Sequence, residues 1–280
     1  MLSRRAPAAL ALALALALLA TACSRRDRGA GGGLRLAAPT PVVGERQTLT
    51  DELTSQSEVT AGPGQVVRLS TRRSRQFEVE VRAVAADGVV TAARARFDRH
   101  QVEQTKDGAT TTKPSPLQGQ TYDIRAEGDA LVAVHADGSA VTPAEQAALT
   151  ADLGRAIGRV PPLAVLLHSR AWTRGEPVEL TPAELTDAFG HNPMMPPVAG
   201  TALLVGAADG VATFEFDLQL ARDDADGRAE STMRLAVKLD VARARPLEQR
   251  LTGTLGGKVA GMPSTGTVAG TITYGYAVSR

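Results

Sequence analysis

The sequence predicts an α+β fold that is mainly antiparallel β: a large curved meander sheet with two helices inserted mid-chain. Apolar and polar residues alternate strictly over 77–83, 214–220 and 233–241, which is the pattern of strands with one solvent-exposed face. Two helix-start signals lie near the middle of the chain, at 142–145 and 181–184. The third observation is a recurring hairpin signal, Asp-Gly, at Asp87-Gly88, Asp107-Gly108, Asp137-Gly138, Asp209-Gly210 and Asp226-Gly227.

Strands are predicted wherever the alternation persists between turn signals. A sheet built from so many long strands twists and cannot stay flat, and its apolar face needs a cover. The central helices are the available cover. The predicted strands are 46–59, 65–84, 89–103, 120–126, 130–136, 201–207, 211–222, 231–243, 247–255 and 266–278.

Both helices are predicted from the same capping box, Thr-Pro-Ala-Glu, with proline at the first helical position. The first begins after Thr142, and the second begins after Thr181 and ends at Gly190. The first helix continues with apolar residues at the spacing of one helical face, namely Ala147, Leu149, Leu153 and Ile157.

The N-terminus predicts export. Arg4 and Arg5 precede an uncharged run of 13 residues from Ala8 to Ala20. Such a run falls within the ~7–15 residues of a signal-peptide apolar region and is shorter than the ~20 needed to span a bilayer. We therefore interpret residues 1–22 as a signal peptide.

Small residues at 20–22 lead directly into Cys23, the only cysteine in the chain. This arrangement resembles the lipobox of bacterial lipoproteins. The resemblance implies cleavage before Cys23, acylation of its thiol and new amino group by chains such as palmitate, and stable anchoring in a membrane. In Gram-negative members a residue other than Asp after the cysteine, here Ser24, implies the outer membrane. The alternative is an ordinary signal peptide with an incidental cysteine.

Residues 23–43 are predicted to be the lipidated cysteine and a flexible Gly/Arg linker, because they show no periodic apolar face. About 20 flexible residues have a typical reach of ~25 Å. Arg25, Arg26 and Arg28 either contact anionic headgroups or are simply solvated. Residues 44–280 are predicted to form a single β-rich globular domain.

The order of long strands, central helices and long strands resembles the half-barrel of the LolA/LppX-like lipoproteins, which carry or bind lipid. The resemblance covers residues 44–278 in architecture only, and no functional residue is transferred from it. Residues 117–155 also resemble segments of bacterial lipoproteins of unknown function.

Composition argues against nucleic acid as a partner. The chain has 31 Lys+Arg and 30 Asp+Glu, and loss of Arg4 and Arg5 with the signal peptide leaves 29 basic residues. Only five Phe, three Tyr and one Trp are available for stacking on bases. The predicted partners are therefore the membrane, through the anchor, and a lipid ligand or an envelope protein.

No motif for a catalytic, cofactor or metal site is recognised, and the prediction is a protein that is not an enzyme and uses no cofactor. Acid–base pairs assembled from distant positions stay open as an alternative. His191 to Pro197 offers His and two Met, which suit Cu(I) or simply fill gaps. Asp223 to Gly227 lacks the ligand order of a calcium loop and predicts a hairpin tip. The four histidines have no ligand spacing: His100, His135, His168 and His191.

Two functions remain open. The first is a lipoprotein that binds a lipid or another hydrophobic ligand in an apolar groove, with edges at 160–162 and 192–197 and Trp172 between them. The second is a structural or interaction lipoprotein with a filled core. Inward residues of both sizes occur, small ones that leave room and large ones that fill it: Ala93, Ala95 and Gly270, against Phe97, Phe214 and Phe216.

Overall fold

The computed structural model describes residues 33–278 except 63, 191–194, 225–226 and 260–261. Within these residues, twelve strands form one antiparallel sheet, and three helices lie in the middle of the chain. The predicted fold class, a large curved and mainly antiparallel sheet with helices inserted mid-chain, is confirmed.

The elements agree with the predicted ones except for three additions, which are β4, β7 and α2. Helix α2 begins directly after Pro161 with no side-chain cap, so the sequence carries no capping box for it. The strands are β1 Glu45–Gly62, β2 Gln65–Val84, β3 Val90–Lys106, β4 Ala109–Pro114, β5 Thr121–Glu127, β6 Ala130–His135, β7 Pro177–Glu179, β8 Pro197–Ala208, β9 Val211–Asp224, β10 Gly227–Asp240, β11 Arg245–Val259 and β12 Met262–Val278. The helices are α1 Pro143–Leu153, α2 Pro162–His168 and α3 Pro182–Phe189.

Predicted and observed strand boundaries differ by up to four residues, and at the end of β10 the difference has a clear local cause. The alternation predicted a strand over 231–243, whereas β10 runs from Gly227 to Asp240. The backbone N–H groups of Ala242 and Arg243 are bound by the Asp240 carboxylate, and Ala244 has a φ of 51°. The chain therefore turns at 241–244 although its apolar alternation continues.

The strand order across the sheet is β6-β5-β3-β2-β1-β12-β11-β10-β9-β8-β7, with β4 paired to β3. The first and last strands, β1 and β12, pair in the centre over a long stretch from Glu45↔Val278 to Val59↔Ser264. The chain thus starts at the centre of the sheet, reaches one edge at β6, crosses to the other edge through the helices, and returns to the centre.

The long strands run between two ends of the sheet. We call the end with the turns at 85–89, 209–210 and 241–244 the proximal end. The distal end has the turn at 106–109, the last residue of β9 and the first residue of β10. Strand β2 has 20 residues, which at ~3.3 Å per residue makes it roughly 60 Å long.

The helices cover one face of the sheet, the inner face. Helix α1 shares a core with β1, β2, β3, β5, β6 and β12, and α2 and α3 share a second core formed mainly with β8 to β11. Of the helices in the described part of the chain, none has the length and apolar character needed to cross a membrane.

The last part of the predicted linker belongs to the domain. The Leu34 N–H donates to the Trp172 carbonyl at 2.8 Å, and the Trp172 N–H donates back at 2.9 Å. Leu36 is buried in the second core. Residues 33–43 therefore differ from the flexible linker predicted there, because these leucines have apolar surface to bury. Residues 23–32 lie outside the described part.

Candidate functional site

The inner face carries two apolar cores with a polar seam between them. The first core lies beneath α1 around Phe77 and Phe97, and the second lies beneath α2 and α3 around Trp172 and Phe214. Between them the inner side chains of the central strands are mostly polar. The polar seam consists of Glu45, Gln47, Asp51, Arg73, Arg75, His100, Arg245, Gln249, Tyr274 and Tyr276.

Strand register brings the seam residues together. Asp51 of β1 stands opposite Arg75 of β2, and Arg75 stands opposite His100 of β3. On its other side Asp51 stands opposite Ile272 of β12, which stands opposite Gln249 of β11. One row across β3, β2, β1, β12 and β11 therefore brings residues from the N-terminal and C-terminal parts of the chain side by side.

An ion cluster occupies one half of the seam. Asp51 Oδ2 accepts hydrogen bonds from Arg73 Nη2 at 2.8 Å and from Arg75 Nε at 2.7 Å. Asp152 of α1 accepts from Arg75 Nη1 at 2.6 Å and pairs with His100 Nε2 at 2.7 Å. The cluster therefore fixes the end of α1 to strands β2 and β3.

Electrostatics favours the charged forms of Asp152 and Arg75. Burial raises the pKa of the Asp152 carboxyl, but the hydrogen bond with His100 and the charge of Arg75 outweigh burial, so this pKa lies below its ordinary value. Burial lowers the pKa of Arg75, but the charges of Asp152 and Asp51 outweigh it and the pKa is raised. An ionised Asp152 accepts the hydrogen bond, so His100 carries its proton on Nε2.

A second buried pair links β1 to β11. Arg245 Nη2 donates to Glu45 Oε2 at 2.6 Å, and both side chains are buried. The Arg245 guanidinium lies 4.8 Å from the centre of the Tyr276 ring, a cation–π distance. Burial raises the pKa of Glu45, against the opposing charge of Arg245. This pair supports the proximal side of the seam.

The seam contains buried polar atoms without a partner and a small cavity. Among the described residues, both amide atoms of Gln249 and the Tyr274 hydroxyl have no hydrogen-bond partner. A cavity of about 10 Å³ is lined by Asp51, Arg73 and Gln249, with Gly270 and apolar side chains as its remaining walls. One water needs roughly 10–15 Å³ of such space. The cavity therefore fits a water molecule and is too small for an acyl chain.

The capping box predicted at the start of α1 is present and is extended by Tyr122. Glu145 Oε2 accepts from the Thr142 N–H at 2.7 Å, and Glu145 Oε1 accepts from the Tyr122 hydroxyl at 2.8 Å. His135 Nε2 lies 3.3 Å from the same Oε1. Hydrogen bonds from Thr142 lower the pKa of Glu145 to about 2. The carboxylate thus holds α1 against the β5–β6 hairpin.

This depressed pKa predicts a loss of stability in acid. A folded-state pKa below the ordinary 4.5 gives stability that is present above pH 4.5 and is lost as the pH falls toward 2. We expect Glu145→Gln to flatten the fall in the free energy of unfolding over this window, measured by urea denaturation at a series of pH values. Glu58→Gln, at a solvent-exposed pair with Arg68, is the control and should keep the wild-type slope. Parallel curves for wild type and Glu145→Gln would contradict the assignment.

The space beneath α2 and α3 is filled with side chains. Trp172 is 1% exposed, donates from Nε1 to the Leu167 carbonyl at 2.8 Å, and packs edge-on against Phe214 with ring centres 5.2 Å apart. Phe189 of α3 packs in the same way on Phe216 at 5.4 Å. The predicted groove between helices and sheet is therefore occupied at the position of Trp172.

An apolar cleft lies instead at the proximal end, beside α2. Its volume is about 280 Å³. The side chains of Pro39 and Pro41 line it from the N-terminal segment, and Val160 and Val165 line it from the helical region. Val165 is the exposed residue of α2 and points away from the second core. The predicted edge at 160–162 thus borders a cleft on the outside of this helix.

The residues singled out as ligand candidates are dispersed. His100 belongs to the seam, His135 contacts Glu145, and His168 Nδ1 lies 2.9 Å from the Leu36 carbonyl oxygen. Burial lowers the pKa of His168. Cys23 and His191 lie outside the described residues. Over the part of the chain that the structure describes, no three His, Cys, Asp or Glu side chains form a group able to hold a metal ion.

The two odd loops are only partly described. Residues 192–194 and 225–226 lie outside the described residues. Met195 is buried and joins the second core, as a gap-filling methionine does. Strand β9 ends at Asp224 and β10 begins at Gly227, which agrees with a hairpin at this position.

The sequence carried a signal for the seam. Asp51 lies between Leu49 and Leu53 at a spacing of two, and Arg75 precedes Phe77 at the same spacing. Period two places these charges on the apolar side of their strands. Charged residues at inward positions indicate a buried polar site.

No family model and no curated protein matches this chain. Among solved structures, the S-type phycobiliprotein lyase CpeS from Guillardia theta is similar at 10% identity and a TM-score of 0.18, over 82% of this chain and 86% of the lyase. The translocator domain of the autotransporter NalP from Neisseria meningitidis is similar at 8% identity and a TM-score of 0.20, over 88% of this chain and 90% of that domain. Likenesses at these scores carry no weight for function.

Proposed function

We propose that this protein is a lipid-anchored, non-enzymatic protein of the bacterial cell envelope whose β domain is a rigid scaffold for an envelope partner. The observation that supports it best is the filled interior. Trp172, Phe214 and Phe216 occupy the space where a carrier would need a groove. The cavity in the polar seam has room for a water only. A domain filled in this way offers its surface for binding.

The anchor in this proposal is the acylated Cys23. The proposed location is the outer membrane if the cell is Gram-negative, because Ser24 follows the cysteine. Both parts are supported by the lipobox resemblance of the sequence. The partners are then the membrane itself and a protein of the envelope, and no nucleic acid is involved.

Cys23→Ser is expected to abolish incorporation of radiolabelled fatty acid into the protein in growing cells. Cys23 is the only thiol in the chain, so no other residue offers the same acceptor. Ser24→Ala is the matched control and should keep full incorporation. Fatty acid that still enters the Cys23→Ser variant would overturn the lipobox interpretation.

Lipid titration distinguishes a scaffold from a carrier. Trp172 is the sole tryptophan and packs at the centre of the second core, so its emission reports on this core alone. We expect no saturable shift of its emission when several lipid classes are added in detergent to the purified protein. Native mass spectrometry should show the polypeptide with its anchor and no further lipid. A saturable shift, or a co-purifying lipid, would support the carrier and contradict the scaffold.

A further inference from the structure

Exposed apolar side chains are concentrated at the proximal end. Nine large apolar residues are exposed in the described part of the chain, all of them valines. Val42 and Val43 precede β1, and Val278 ends β12 opposite Glu45. Val160 and Val165 line the 280 Å³ cleft at this same end. We call Val42, Val43, Val160, Val165 and Val278 the proximal patch; exposed apolar residues gathered at one end of a protein mark an interaction site.

The rim of the cleft is polar. Asp87 of the β2–β3 turn, Arg159 and His168 line it together with the apolar residues. Arg159 is exposed, so its guanidinium can reach a phosphate beside the patch. Arg159 and Asp87 give the border one charge of each sign, which suits the phosphate and ammonium of a phospholipid headgroup better than a purely apolar partner.

The chain enters the domain beside this patch. Leu36 contacts His168 through its carbonyl, and Ala38, Pro39 and Pro41 line the cleft. The described chain begins at Gly33, ten residues after Cys23. Ten residues span at most ~35 Å when fully extended, which is half the span of the twenty-residue linker predicted from the sequence. An anchor at Cys23 would therefore keep the proximal end near the membrane.

We infer that the proximal patch rests on the bilayer that holds the anchor, with the exposed valines at the boundary between headgroups and acyl chains. This inference rests on the proposed lipid anchor. A few valines bind a bilayer weakly by themselves, but a tether makes the contact intramolecular and raises the effective concentration. The distal hairpin tips, roughly 60 Å away along β2, then point away from the membrane and toward a partner.

The test places a single thiol at either end of the sheet. Val165→Cys lies in the patch, and Val66→Cys lies near the distal tip of β2; both positions are exposed, at 52% and 46%, so neither change removes a core side chain. Each mature protein is labelled with a dye that reports polarity and is reconstituted on vesicles of phosphatidylethanolamine and phosphatidylglycerol with a spin-labelled lipid. We expect a blue shift and several-fold stronger quenching at position 165 than at position 66.

Equal quenching at the two positions would overturn the inference. A blue shift at 165 without quenching by the spin-labelled lipid would also overturn it, since that result means a protein partner or the protein's own acyl chain covers the cleft. Thiol labelling of the wild-type protein shows whether the anchor is present, and so distinguishes a wrong inference about the patch from a wrong proposal of the anchor. An acylated Cys23 takes no thiol label, whereas labelling of wild type would show a free Cys23 and refute the anchor itself.

Discussion

Replacing Arg75 by alanine is expected to lower the free energy of unfolding by about 3–5 kcal/mol, because the change leaves buried carboxylates without their main partner. Arg75 is 3% exposed at its side chain and bonds both Asp51 and Asp152. Among the described residues, Asp51 then keeps Arg73 as its partner, and Asp152 keeps His100. Helix α1 also loses the ion pair between Asp152 and Arg75, one of its contacts with the sheet.

The matched control is an arginine in an exposed ion pair. Arg234 pairs with Asp217 on the outer face, with side chains 60% and 55% exposed. Arg234→Ala should leave the free energy of unfolding almost unchanged, since water screens such pairs. Urea denaturation of the three proteins at neutral pH measures the difference. Equal losses in the two variants would mean that the Arg75 cluster is as well hydrated as the surface.

Val237→Asp is expected to unfold the domain, whereas Lys238→Asp should be mild. Val237 of β10 is fully buried in the second core, opposite Phe214 of β9. The described residues packed in this core are apolar, and a buried charge without a partner costs several kcal/mol. Lys238 is the next residue along the strand and points to the outer face, where it pairs with Glu248.

Thermal unfolding followed by circular dichroism tests this pair of variants. Lys238→Asp loses one exposed ion pair and places two carboxylates near each other, which lowers stability by about 1 kcal/mol or less. Val237→Asp should lose the cooperative transition altogether. A similar fall in melting temperature for both would contradict the assignment of Val237 to the inner face.

The missed elements have physical causes. Strand β4 is exposed along its whole length, so its sequence shows no alternation that would indicate burial. Strand β7 has three residues, which is too short for a period to appear. Helix α2 starts at Pro162 without a capping side chain. In each case the stabilising contacts come from the rest of the domain, and the local sequence carries no signal of them.

For the candidate site, the sequence analysis did not single out Asp51 or Arg75, although period two places both on the apolar side of their strands. It did not indicate that Asp51 faces Arg75 on one side and Ile272 on the other, since these pairings depend on the order of strands in the sheet. Asp152, on a helix, is joined to them only by the packing of α1. The sequence also left open whether side chains fill the second core, because this too depends on which distant segments pack together.

The sequence by itself determined the position of ten strands and two helices, because alternation, Asp-Gly turns and capping boxes act between residues close along the chain. It also predicts export and a lipid anchor at Cys23. The tertiary structure decided that β1 pairs with β12, that residues 33–43 join the domain, and that Trp172 fills the space beneath the helices. Each of these features depends on which distant segments come into contact. Hydrophobic contacts are non-directional, so a local sequence pattern does not specify which segments they join.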